Sequence, residues 1–263
     1  MGRSGLHGLG PHGWSQGKST YQPFPEGSSF YPGDSLSSRI SMLSSTRLIL
    51  ALDETDPDRA MVVAAKVKKQ VDAIKINWPL VLAGGPEMIT KLSKMAPVIC
   101  DFKVADIPNT NMLIAREAFL RGASGIIVQG FVGHDSARAV IDAAQGKDVF
   151  IVTEMSHPGG REFTAPNADQ LARLAVEVGA SGVIAPATRP ERIAHVRSIV
   201  GRLLILSPGV GAQGGSASDA IRHGADYVIV GRSIYEDPDP EAAAGRIVKE
   251  VKSALKGRKA GVP

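Results

Sequence analysis

Cysteine is almost absent. Cys100 is the only one in 263 residues, so neither an intrachain disulfide nor a thiolate metal cluster can form. Such usage agrees with a reducing cytoplasm. Aromatic residues are sparse as well, at 5% against 43% hydrophobic overall, so the core is expected to be built from Val, Ile, Leu and Ala. No apolar run approaches the roughly 20 residues needed to span a bilayer. The N-terminus also lacks the charged-then-apolar layout of a secretion signal, and no membrane partner is expected. Dense Lys/Arg blocks are missing too. The net charge of +4 suits the handling of a small anion and is too mild for nucleic acid.

What is plentiful at the start is Gly, Ser and Pro. The first 35 residues hold eight, six and four of them, with no helical or strand period. A segment of that kind buries too little to offset its ordering entropy. Residues 1–43 are therefore expected to form a disordered leader, with Met42 as an alternative start. A catalytic domain is expected over 44–258 and a flexible tail over 259–263.

From Arg47 the rhythm changes. Short β-branched runs ("RLILALD", "DAIKIN", "PVICDFK", "GIIVQG", "VFIVTE", "GVIAPAT", "LLILSPG", "YVIVGRS") alternate with amphipathic stretches such as "PDRAMVVAAKVKKQ" and "ADQLARLAVEVG". Apolar β-runs separated by helical periods indicate a parallel sheet. Eight such units in about 210 residues point to a (β/α)8 TIM barrel. A doubly wound open sheet is the rival, because alternation alone does not close a circle.

In such barrels chemistry gathers at the C-terminal ends of the strands. Reading those ends gives Asp53, Lys75, Asp101, Lys103, Asp106, Ser156, Gln213 and Arg232. Asp101 and Lys103 are two apart on one strand, so both should enter the barrel mouth while Cys100 and Phe102 face the helices. Lys75, ending the neighbouring strand, should point into the same space. An ion-pair network that merely closes the barrel is the bland alternative. Buried ion pairs, however, are poor stabilisers compared with apolar packing, which turns the balance towards catalysis. "SPGVGAQGG" and "VGRSIY" follow strands seven and eight, the recurrent phosphate site of this fold. Gly231 lets the backbone approach an anion, and Arg232 offers a planar fork to phosphate oxygens. The adjacent Ser156 and His157 invite a hydrolase reading, but neighbours project divergently and no G-x-S-x-G elbow is present. Asp53 either binds a sugar hydroxyl or caps the first helix.

Together "LALD", "IKINWPLVL", "DFKVADIPNTN", "TEMSHPG", "TRPERI", "SPGVGAQGG" and "VGRSIY" resemble, in order, the compact archaeal-type orotidine 5'-monophosphate decarboxylases. The resemblance covers about residues 47 to 255. It implies cofactor-independent decarboxylation of orotidine 5'-monophosphate to uridine 5'-monophosphate, with neither metal nor coenzyme. Lys75, Asp101, Lys103 and Asp106 would form the alternating charge network, with Lys103 as proton donor. Asp53 and Lys75 would touch the ribose, and Ser156 the pyrimidine edge. Gln213 would span pyrimidine and phosphate from a closing loop, and Gly231 with Arg232 would hold the phosphate. The resemblance also implies a homodimer in which Asp106, Ile107 and Thr110 complete the neighbouring subunit's site. Asn77 and Trp78 depart from the family pattern, and "GGREF" has no assignment in it. The alternative within the superfamily is a metal-dependent sugar-phosphate decarboxylase or aldolase. Those enzymes share D-x-K-x-x-D but usually carry an acidic residue where Lys75 stands.

Overall fold

The eight apolar runs form eight parallel strands that close into a barrel in sequence order. The computed structural model describes residues 46–257; the expected leader and the expected tail lie outside them. The strands are β1 Leu48–Leu52, β2 Ala73–Ile76, β3 Val98–Val104, β4 Gly125–Gln129, β5 Asp148–Val152, β6 Gly182–Ile184, β7 Leu204–Pro208 and β8 Tyr227–Val230. The pairing of β1 with β8 (Leu48 with Val228, Leu50 with Val230) closes the circle and rules out the open sheet.

Helices cover the outside: α1 Pro57–Val67, α2 Trp78–Gly84, α3 Glu87–Ser93, α4 Pro108–Leu120, α5 Gly133–Ala144, α6 Gly160–Glu177, α7 Pro190–Val200, α8 Ala217–Arg222, α9 Arg232–Tyr235 and α10 Pro240–Gly257. Two differ from the simple one-helix-per-strand expectation, since the β2–β3 crossover is split into α2 and α3 and a short α9 follows β8. The unassigned "GGREF" opens α6, which starts at Gly160 and carries Pro166 within it. No helix among the described residues is long and apolar enough to cross a membrane.

Strand alternation sorts the core into two layers. Ile49, Ala51, Ile99, Ile127, Phe150, Val152, Leu206, Tyr227 and Ile229 fill the barrel interior. Leu48, Leu50, Val98, Cys100, Phe102, Ile126 and Val128 pack outward against the helices. With both faces buried, the strands read as continuous apolar runs instead of alternating ones. Cys100 and Phe102 face the helices as expected.

The two ends of the barrel use polar residues differently. At the N-terminal end, Asp72 accepts from Thr46 Oγ1 at 2.5 Å and from Arg47 N at 2.9 Å. Buried Arg197 donates to the carbonyls of Gly201, Leu203 and Gly224 and to Asp226. These contacts pair backbone groups that the turns leave orphaned, which is a stabilising role. The C-terminal ends of the strands instead surround a cavity.

Cys100 provides a check on the layering. It is fully buried, and burial, with Asp101 next to it, pushes its thiol up to about 12. The native protein is therefore expected to leave a disulfide reagent unreacted near pH 8 and to yield one thiol equivalent once denatured, since only the exposed thiolate attacks (the free pKa is about 8.5). Rapid reaction of the native thiol would contradict the outward packing of Cys100 against the helices.

Candidate active site

The cavity at the C-terminal end of the barrel measures about 190 Å³. Ala51, Ile127, Val152, Ile184 and Ile229 form its apolar floor, and Asp53, Lys75, Asp101, Lys103, Ser156, Gln213, Gly231 and Arg232 stand around it. Seven of the eight residues read at the strand ends, with Gly231, thus share one space. Asp106, Ile107 and Thr110 are not among its lining. Asp106 and Ile107 sit exposed on the β3–α4 turn, and Thr110, half-buried, lies in the first turn of α4.

The charged residues form a chain. Lys75 Nζ lies 3.1 Å from Asp53 Oδ1 and 3.0 Å from Asp101 Oδ2. Lys103 Nζ donates to both oxygens of Asp101, at 2.9 Å each. The middle of the chain is dry: 6% of the Lys75 side chain and 9% of that of Asp101 are exposed, against 37% for Asp53 and 32% for Lys103. Burial penalises the Lys75 ammonium, yet Asp101 and Asp53 outweigh it and hold its pKa above the ordinary lysine value. Burial likewise opposes the Asp101 carboxylate, but Lys75 and Lys103 hold it below the usual carboxylate range. Lys75 and Asp101 can therefore both stay charged with little water around them.

Local backbone places these groups. The β2 register sets Lys75 beside Ile99, two residues before Asp101. A register shift interrupts the β3–β4 pairing between Cys100 and Val104, and within it Lys103 adopts a φ of +43°. A lysine in the left-handed region is strained, a condition that persists where surrounding contacts over-determine it. Asp101 supplies that contact by gripping the ammonium with both oxygens. On the β3–α4 turn, Asp106 N donates to Asn111 Oδ1 at 2.8 Å, and Ser136 Oγ donates to the Asp106 carbonyl at 3.0 Å. Asn111 comes from the same "DIPNTN" run.

Asp53 does not cap the first helix. Asp56 does, accepting from Asp58 N and Arg59 N, which leaves the Asp53 carboxylate for Lys75. Asn77 lines the cavity and caps α2 by accepting from Trp78 N at 2.7 Å. Trp78 stacks on Phe102 at 4.4 Å between ring centres and donates Nε1–H to the Phe102 carbonyl at 3.1 Å. His157 is exposed and does not line the cavity with Ser156.

On the far rim, the glycine-rich loop is folded on itself. Gly209 enters it at a φ of +99°, a region open mainly to glycine. The amides of Gly211, Gly214 and Gly215 donate within the loop and that of Ala212 to Ser233 Oγ. Fewer N–H groups thus face the cavity in this conformation than the glycine count suggests. Arg232, exposed at the N-terminus of α9, makes no ion pair with another described residue. It stands as a cation at the rim beside Gly231.

A second charge chain, not anticipated from the strand ends, runs behind β5. Glu154 is completely buried and accepts from Arg189 Nε at 2.6 Å and Arg192 Nε at 3.0 Å. Arg192 continues to Asp169 at 3.1 Å, and His195 meets the other oxygen of Asp169 at 2.8 Å. "TRPERI" held both arginines and "TEMSHPG" held the glutamate, but their meeting depends on β5 and β6 being neighbours. Among the described residues no group of three His, Cys, Asp or Glu side chains is placed to hold a metal ion.

Comparison with known proteins agrees with this fold. A sequence profile of the Orotidine 5'-phosphate decarboxylase / HUMPS family matches residues 46–247. The orotidine 5'-phosphate decarboxylase of Methanosarcina mazei is 56% identical over 220 residues, covering 82% of this chain and 100% of its own. That of Thermococcus kodakarensis is 53% identical over 212 residues, covering 80% and 98%. Among solved structures, orotidine 5'-monophosphate decarboxylase of Methanocaldococcus jannaschii, complexed with the inhibitor BMP, superimposes with a TM-score of 0.75 at 46% identity. The match covers 79% of this chain and 99% of that one.

The charge chain also sets a pH dependence. The folded-state pKa of Asp101 is depressed, so its stabilisation is present above its ordinary 3.8 and lost as pH falls through the depressed value. That of Lys75 is raised, so its contribution is present below 10.5 and lost as pH rises through the raised value. The stability gap between the parent and Asp101→Asn is expected to be flat from about pH 5 to about pH 9 and to narrow in stronger acid. Denaturant midpoints across pH measure it; a gap that changes steeply near neutrality would contradict the assignment.

Proposed function

The chain belongs to the Orotidine 5'-phosphate decarboxylase / HUMPS family, and from that premise we propose that it is a carboxy-lyase converting orotidine 5'-monophosphate to uridine 5'-monophosphate in pyrimidine biosynthesis. The observation that carries the reading is Lys103, gripped by Asp101 at the edge of an apolar-floored cavity with Lys75 behind it. The catalytic domain in this reading is residues 44–258.

The reaction breaks the bond between C6 of the pyrimidine and its carboxylate carbon. CO2 departs, the electron pair stays on C6, and no adjacent π system delocalises it well. Lys103 stabilises the developing charge and then transfers a proton from Nζ to C6, regaining one from solvent afterwards. Asp101 fixes that ammonium and faces the departing carboxylate; holding Lys103 is the larger contribution. Lys75, between Asp53 and Asp101, balances their charge and meets the ribose together with Asp53. The reaction proceeds by electrostatics from the chain's own residues, without a cofactor.

Remote groups supply binding energy. Arg232 and Gly231 take the phosphate, Gln213 spans phosphate and pyrimidine, and Ser156 reads the pyrimidine edge. Binding energy from the phosphate closes the loop over the base and excludes water. Asp106 and Ile107, exposed on the β3–α4 turn, and Thr110, in the first turn of α4, lie outside the chain's own cavity and act in a homodimer on the partner subunit's site.

The direct test is loss of orotidine monophosphate absorbance on adding the purified protein. Full activity in excess EDTA is expected, whereas activity that vanishes with chelator and returns with divalent metal would favour the sugar-phosphate enzymes of the same family. Arg232→Ala is expected to lower kcat/KM by roughly 10³-fold, and a loss within about tenfold would remove Arg232 from the phosphate site. Lys103→Ala and Asp106→Ala are each expected to be inactive. Mixing the two under conditions of subunit exchange should restore one intact site per heterodimer. No recovery after verified exchange would exclude a shared site.

A further inference from the structure

The second charge chain has no part in the chemistry above, yet it touches the active-site wall. Glu154 lines the cavity beside Met155 and Ser156, and both of its oxygens are turned away to Arg189 and Arg192. Fold stability alone does not call for such an arrangement. A buried ion pair exchanged for apolar side chains of similar volume is often neutral or stabilising. What ions and forked donors provide instead is a fixed geometry.

That geometry converges on one peptide unit. Arg189 uses Nε for Glu154 and its Nη2 for the Met155 carbonyl, at 2.5 Å. The Met155 amide donates to Thr164 Oγ1 at 3.1 Å. The turn packs closely on the same carbonyl: a Cβ placed on Gly160 would sit 2.5 Å from Met155 O. Met155 is thus held on both sides of its backbone, and the next residue is Ser156.

We infer that Arg189, locked by Glu154, is a positioning residue that sets the height of Ser156 against the pyrimidine and so contributes to recognition of the base, separately from the phosphate grip. This rests on the decarboxylase reading of the cavity. A guanidinium bridges Glu154 and the Met155 carbonyl at once because its donors diverge in one plane; an ammonium in its place satisfies one partner at a time. Arg189→Lys therefore keeps the charge beside buried Glu154 while releasing the carbonyl, and it is the informative variant. Arg189→Gln removes the charge as well and carries the greater risk of not folding.

Two measurements on the full chain test the inference. In Arg189→Lys, hydrogen exchange is expected to quicken for the amides of residues 155–159 and to stay unchanged in the barrel strands. Unchanged exchange in that turn would overturn the tether. In kinetics, a displaced Ser156 should lower kcat/KM for orotidine monophosphate by about 100-fold. Binding of ribose 5-phosphate, which has no base, should stay within about twofold of the parent. Combining Arg189→Lys with Ser156→Ala should cost little beyond either change alone, because residues acting through one contact are not additive. Fully additive losses, or an equal loss of ribose 5-phosphate binding, would show a general structural role and overturn the inference. A parent protein with no orotidine monophosphate turnover would sink the decarboxylase reading and the Ser156 half of the inference together. The exchange measurement would still decide whether Arg189 holds the turn.

Discussion

Everything at the mouth of this barrel depends on one carboxylate holding two ammoniums. Asp101 takes Lys75 on one oxygen and Lys103 on both, and it does so with almost no solvent. A lone carboxylate there would protonate, and a lone lysine would lose its proton. Paired, Asp101 and Lys75 keep their charges, and Asp53 takes Lys75 from the rim. The barrel makes this affordable by geometry: β2 and β3 are hydrogen-bonded neighbours, so residues at their ends need no long side-chain reach to meet. The left-handed turn of the backbone at Lys103 is the cost of pointing its ammonium back onto Asp101.

The surroundings magnify that interaction. Ile127, Val152, Ile184 and Ile229 give the charges an apolar floor, and a poorly polarisable wall strengthens every Coulombic contact above it. The same floor would make an unpaired charge ruinous, which explains why the ions occur as a chain. The opposite end of the barrel shows the contrast. There Asp72, Arg197 and Asp226 spend their hydrogen bonds on backbone groups of the turns. Nothing in that arrangement is left to act on a ligand.

Much of this was readable from residue order, because period-two burial and strand-end position are local properties. The eight apolar runs became the eight strands, and Asp101 and Lys103 entered the mouth because they stand two apart on β3. What could not be read depends on contacts distant in sequence or on backbone detail. Glu154 was not singled out among the strand ends, because its partners Arg189 and Arg192 lie 35 and 38 positions later, at and beyond the N-cap of α7. The split of the β2–β3 crossover turned on Gly85 and Pro86, and the start of α6 at Gly160 was hidden by glycines that usually mark loops. The capping of α1 fell to Asp56 and not Asp53, a choice settled by the N1 position of Pro57. The amides of the glycine-rich loop could be counted in advance, but not the fact that several are spent inside it.

The distribution of exposure carries a last consequence. Groups whose work is complete within one chain are buried and doubly paired: Lys75, Asp101, Glu154 and Arg189. Gln213 and Arg232 at the cavity rim, and Asp106 and Ile107 on the β3–α4 turn, are exposed; these are the groups proposed to meet a phosphate and a second copy of the chain. Lys103 stands between the two sets, a third exposed and with both its hydrogen bonds going to the same carboxylate. An ammonium has three donors, and two of its directions are fixed by Asp101. The third is left free of Asp101, and its direction is governed by that same carboxylate, so the grip that holds Lys103 also sets its aim.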